Sequence, residues 1–236
     1  LHQPERVIIE YNGMWLVSNF EKMQLPTGWG VEQQITCVDG STFQIYMANM
    51  KSIFMDMIKN TDMVIFNRCK KEDPLPTYRR GIKVANQRAE VIFEDEEGEL
   101  GDIFQDEMPF DMNAPVIEIL PEDYGIWFVD AMDHPENYEG KTVKFKARVM
   151  KPRGMGSKFF VPGRTAMTCC ADDTTFLGYV CKSAYAPKLT PGEWVEVTAK
   201  VGIEKRNEYQ GEEGIVLDAE HVEQCDPLED EMVYFN

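Results

Sequence analysis

Two adjacent thiols, Cys169 and Cys170, close a run of β-prone residues from Phe159 to Thr168, and two carboxylates, Asp172 and Asp173, follow. Thiolates are soft metal ligands and redox groups, and a bend at a strand end can turn both toward solvent. On a straight strand, neighbouring side chains point to opposite faces, so the pair can share one ion only where the strand bends. Cys181 and His221 are the further ligands that would complete a tetrahedral site for an ion such as zinc. Their spacing is not that of a paired Cys-x-x-Cys motif, and buried, inert thiols compete with the metal reading. Six cysteines also permit disulfides, for which Cys169 or Cys170 with Cys181 is the nearest pair in sequence.

A second group of residues could bind rather than react. From Gly140 to Ala171 there is no Asp or Glu, but there are Lys141, Lys144, Lys146, Arg148, Lys151, Arg153, Lys158 and Arg164. Of these, Lys144, Lys146, Arg148, Lys151, Arg153 and Arg164 form the candidate binding face. It would suit an anionic ligand, lipid headgroups or an acidic partner surface. The competing reading is a solvated sheet face whose charges are balanced by acids elsewhere. The net charge of −17 works against prolonged contact with phosphate backbones, so no nucleic-acid partner is expected.

Catalysis has little to draw on. Only three histidines occur, no Ser–His–Asp or Cys–His grouping has a recognisable context, and Gly154-Met155-Gly156 is too short for a phosphate loop. The expectation is a protein that is not an enzyme, with no catalytic residue to name.

The elements that must position these groups read as mainly β with short helices. In the first half, Glu5 to Glu10, Met14 to Val17, Val31 to Cys37 and Thr42 to Met47 read as extended, the last two as a hairpin about Asp39-Gly40. Met50, Ile53, Phe54, Met57 and Ile58 recur at helical spacing after Asn49, a candidate N-cap. Met63 to Arg68 and Gly81 to Phe93 supply further strands. Residues 94–107 are an acidic connector, poorly spaced for a calcium loop.

In the second half, Pro121-Glu122-Asp123 opens a short helix that His134-Pro135 ends. Val143, Phe145, Ala147 and Val149 alternate with basic residues in the clearest strand. Phe159 to Thr168 and Thr175 to Cys181 form a hairpin, and Trp194 to Val201 and Gly214 to His221 complete five strands. Two small β-barrel domains follow from this, residues 1–113 (including the connector) and 114–236, the second OB-like. Likenesses between Gly13–Val17 and Gly125–Val129, and between Thr36–Phe43 and Thr168–Phe176, raise a tandem repeat.

Several segments resemble the YcgQ-like family of bacterial permease subunits, whose C-terminal region is a domain of unknown function. They are Tyr138-Glu139-Gly140-Lys141, the set Phe160-Val161, Arg164, Met167 and Cys169-Cys170 with an Asp after it, and Pro227 to Phe235. The resemblance covers about Val116 to Phe235. It implies a non-enzymatic, extracytoplasmic accessory subunit of a transport complex in the cell envelope, with a multi-span permease as partner. The chain begins Leu1-His2-Gln3 rather than with Met, so a removed N-terminal segment or the partner would provide membrane association. The alternatives are an OB-type nucleic-acid- or oligosaccharide-binding protein and a thiol-based metal carrier.

Overall fold

A computed structural model describes residues 4–101, 108–168 and 173–234. The chain divides into two compact units, one of residues 1–73 with 85–101, the other of 74–84 with 102–236.

In the first unit, a short helix α1 (Val17–Glu21) precedes strand β1 (Ile35–Asp39), helix α2 (Phe43–Ile58) and strand β2 (Met63–Asn67). The chain then runs through helix α3 (Leu75–Ala85) and returns as β3 (Glu90–Phe93). The strands pair in the order β1-β2-β3, all parallel. A parallel pair needs a crossover rather than a tight turn, and α2 provides it between β1 and β2. This unit is therefore an α/β layer and not a barrel, which removes the expected first barrel, the hairpin about Asp39-Gly40 and the tandem repeat.

The physical reason lies at Gly40. A Cβ there would fall 2.7 Å from the Cys69 sulfur, and the Gly40 N–H donates to the Asn67 carbonyl at 2.8 Å. Asp-Gly thus serves a strand-to-helix turn packed against the end of β2. Thr42 to Met47, expected as a strand, is the N-cap and first turns of α2, whose non-helical residue Met50 sits where the sequence placed a helix start. Phe43, Phe54, Phe66 and Phe93 pack as an aromatic core with ring centroids 4.8–5.1 Å apart. Gly81 to Ala85 is helical, and only Glu90–Phe93 of the expected strand is extended.

The second unit holds β4 (Ile117–Glu118), α4 (Tyr124–Asp133), β5 (Thr142–Met150), β6 (Phe159–Met167), β7 (Thr174–Gly178), β8 (Val180–Lys182), β9 (Trp194–Lys205), β10 (Glu213–Gln224) and β11 (Met232–Val233). Pairings β5–β6, β6–β8, β8–β10, β10–β9 and β9–β5 run in a closed circuit. This is the five-stranded OB-like barrel, within a mainly β chain. Its inward rows are the alternating apolar positions of β5 and β9: Val143, Phe145, Ala147 and Val149, with Val195, Val197, Ala199 and Val201, are all buried.

Helix α4 fills the barrel with aromatic rings. Trp127 lies 4.8 Å from Phe145 and 5.7 Å from Tyr179 between ring centroids, and the Tyr124 hydroxyl donates to the Leu177 carbonyl at 3.0 Å. Beyond the barrel the second half of β6 continues as a flap, with β7 on one side and β11 on the other. Gly163 permits the close approach of β7, since a Cβ there would meet the Leu177 carbonyl at 2.3 Å.

Candidate functional site

The structure sorts the expected basic face into three separate roles. Lys144, Lys146 and Arg148 project from β5, and β9 lies beside them with Glu196. Lys144 Nζ is 3.0 Å from Glu196, which raises the lysine pKa through a hydrogen bond and direct attraction. Arg148 Nε donates to the Gly192 carbonyl at 3.1 Å. These residues are a balanced outer sheet face, the bland reading of the sequence.

Lys151 is a tie. Its ammonium donates to the carbonyls of Ala186 and Leu189 at 2.5 and 2.6 Å, the end groups of a short 3-10 turn at Ala186–Lys188. Arg153 stays exposed in the loop from 151 to 158.

Arg164 is not on a face at all. It is buried on the part of β6 that pairs with β7, with 2% of its surface exposed. One terminal nitrogen donates to the Pro121 carbonyl at 2.5 Å, and the other to those of Asp230 and Met232 at 3.0 and 3.1 Å. Its guanidinium carbon lies 5.5 Å from the centre of the Tyr124 ring. Burial pulls its pKa down, while Tyr124 and the acids at 230 and 122 oppose the shift. The clamp joins β6 to the closing strap of the chain. Sequence reasoning missed it because period-2 alternation does not say when an inward position is charged; the inward parity of Arg164 with Phe160 was the available signal.

Cys169 and Cys170, with Asp172, lie outside the described residues; the flanking Thr168 hydroxyl donates to the Asp173 carbonyl at 2.8 Å. Cys181 and His221 do not come together. Cys181 is wholly buried in the barrel core opposite Leu217, whereas His221 is exposed four positions further along β10 and past a bulge. At about 3.3 Å per residue that offset alone exceeds 10 Å, so the two cannot share an ion. Among the described residues no three or more His, Cys, Asp or Glu side chains converge as a metal site. Cys181 is a free thiol, the inert buried reading rather than the disulfide that the cysteine count permitted, and burial pushes its pKa up.

Sequence reasoning also passed over the end of the barrel where the β5–β6 loop meets the segment after β8. Both ends of that loop are fastened: Lys151 as above, and the Lys158 carbonyl by the Ser183 N–H at 2.9 Å. Arg153, Lys158, Tyr185 and Lys188 are exposed there, and Lys182 adjoins them on β8. In the turn just after β9, Arg206 covers the Phe159 ring at 4.4 Å and is itself paired with Glu208 at 3.0 Å. Tyr209 locks the β9–β10 turn, accepting from the Val180 N–H at 3.1 Å and donating to the Ile215 carbonyl at 2.5 Å.

A shallow recess lined by Pro76, Arg80, Ile126, Val129, Asp130 and His134 offers about 30 Å³ of space for water. That is far below the several hundred Å³ typical of small-molecule sites.

A family model described as the DUF1980 C-terminal domain matches residues 99–235, more than half of the chain. No curated protein matches. Similar solved structures include a mitochondrial single-stranded DNA-binding protein from S. cerevisiae at 10% identity, covering 37% of this chain and 97% of that one, with a TM-score of 0.23. An aspartyl-tRNA synthetase from Entamoeba histolytica is 15% identical over 50% of this chain and 27% of that one, with a TM-score of 0.26.

Proposed function

The chain belongs to the DUF1980 C-terminal domain family, and from that premise we propose that it is a non-enzymatic accessory subunit of a bacterial membrane permease complex. It acts by binding protein through its barrel unit, outside the cytoplasm. The observation that supports this reading is the filled barrel. Trp127, Phe145 and Tyr179 occupy the interior, so the barrel offers partners its outer surface rather than a ligand cavity.

The nucleic-acid alternative is disfavoured by the ring that would have to serve it. Phe159 lies at the basic end of the barrel, but its face is already taken by Arg206, and the exposed Tyr185 is a single ring rather than a row of platforms for successive bases. The metal-carrier alternative loses Cys181 and His221 as joint ligands.

Co-expression with any multi-span permease found encoded beside this chain, followed by affinity capture in detergent, tests the proposal. A stoichiometric complex is the expected result. Absence of such a neighbour, or a permease that never co-purifies, overturns it. Fractionation of intact cells with an external protease reports the compartment: the barrel unit should be cleaved without lysis.

A further inference from the structure

Charge is divided unevenly along the second unit. Residues 140–192 carry ten Lys or Arg against two Asp, whereas residues 207–236 carry ten Asp or Glu and no Lys or Arg. On β5 the basic side chains are answered, Lys144 by Glu196, which also stands opposite Lys146 in register, and Arg148 by the Gly192 carbonyl. At the end of the barrel they are not. Arg153, Lys158 and Lys188 are exposed and make no ion pair among the described residues. The hydrogen bonds from Lys151 to Ala186 and Leu189, and from Ser183 to Lys158, hold the loop and the segment after β8 side by side, so these cations share one surface. Tyr185 stands in it, with Lys188 6.0 Å from its ring centre.

We propose that this surface docks a short acidic segment of the partner protein, a reading that rests on the accessory-subunit function above. The loop is tied at both ends, so its cations are presented with little ordering left to lose on binding. The occupant is short and proteinaceous for two reasons. Three free cations suit a few carboxylates, whereas firm phosphate-backbone binding draws on roughly six to ten contacts. A long polyanion would also run into the field of the ten acids between residues 207 and 236.

Fluorescence anisotropy with a short labelled poly-glutamate peptide, using the whole chain at low salt, tests the surface. The probe should bind, weaken steeply with added salt, and lose about tenfold or more in affinity in an Arg153→Glu/Lys158→Glu/Lys188→Glu variant. A Lys70→Glu/Lys71→Glu variant, altered in the other unit, should bind as the unmodified chain does. Equal binding by the triple variant overturns the proposal, as does tighter binding of a single-stranded oligonucleotide or of phosphatidylglycerol vesicles than of the peptide. Circular dichroism of the triple variant shows whether it is folded; if it is not, Lys188→Glu alone must still weaken the peptide at least severalfold. Permease capture that survives the triple reversal leaves the accessory function standing and removes this surface. Peptide binding without permease capture does the reverse.

Discussion

Arg164 shows how a buried charged side chain can serve a β-barrel unit. It carries a cation into the core without a carboxylate, and its terminal nitrogens satisfy three backbone carbonyls from two segments remote in sequence. Replacing it with Met keeps the stem volume and strands those carbonyls. At 1–3 kcal/mol for a buried group left unsatisfied, offset by the relief of a desolvated charge, the loss should be about 3 kcal/mol. Urea unfolding of Arg164→Met would show it as a lower midpoint at unchanged slope, and a shift under about 0.5 kcal/mol would contradict the clamp. The buried thiols make a second statement at this scale. Burial pushes Cys69 up to about 11, and Cys181 moves in the same direction. The unfolded chain releases these protons first as pH rises, so the folded state binds more protons and loses stability from about pH 9 upward, by up to ~1.4 kcal/mol per pH unit per thiol. Cys181→Ala should flatten that alkaline slope in the barrel's unfolding; an unchanged slope would place the effect elsewhere.

At the scale of elements, the strap and the flap behave as one device. β11 adds only two residues to β6, yet it buries Val233, and with Asp230 just before it supplies two of the three carbonyls that Arg164 holds. Deleting residues 226–236 should cost about 3 kcal/mol, from one buried apolar side chain and the lost hydrogen bonds. In that background Arg164→Met should cost at least ~1 kcal/mol less than in the whole chain, because the two changes remove the same contacts. Strict additivity would separate the strap from the clamp. The β5 face is the opposite case: Lys144 and Glu196 are each about one-third exposed, and Lys144→Ala should shift stability by less than ~0.5 kcal/mol in a melt. These contrasts also mark what was legible in the sequence. β5, α4 and the β6–β7 hairpin were readable because local alternation, a Pro-led start and a His-Pro stop fix them. The parallel sheet was not, because β1 and β2 pair across a helix and Asp-Gly has the same local chemistry in a hairpin as in a strand-to-helix turn. The Cys181–His221 pairing failed for another reason. Residue type named both as ligands, but the parity of β8 and the bulge in β10 decide which face each takes.

For the molecule as a whole, the order of residues along the chain differs from the order of its compact units. Residues 74–84 cluster with the barrel unit although β3, which follows them, belongs to the other. Helix α3 brings Arg79 and Lys83 to Asp133, a carboxylate with only 8% of its side chain exposed, at the end of α4, and Val84 packs into the barrel unit's core. A fragment cut at the sequence boundary, residues 114–236, would keep every strand of the barrel and still lose these contacts. Stripping two cations from a largely buried carboxylate costs about 3–5 kcal/mol, and uncovering Val84's neighbours adds to it. The fragment should therefore unfold at clearly lower urea than the barrel within the whole chain, monitored by the fluorescence of Trp127 and Trp194. Asp133→Asn separates the causes: in the whole chain it removes the charge that α3 neutralises, and in the fragment it should recover part of the lost stability. If the fragment instead melts like the intact barrel, α3 contributes no stability to the unit it clusters with, and the ion pairs at Asp133 are surface ornaments of α4.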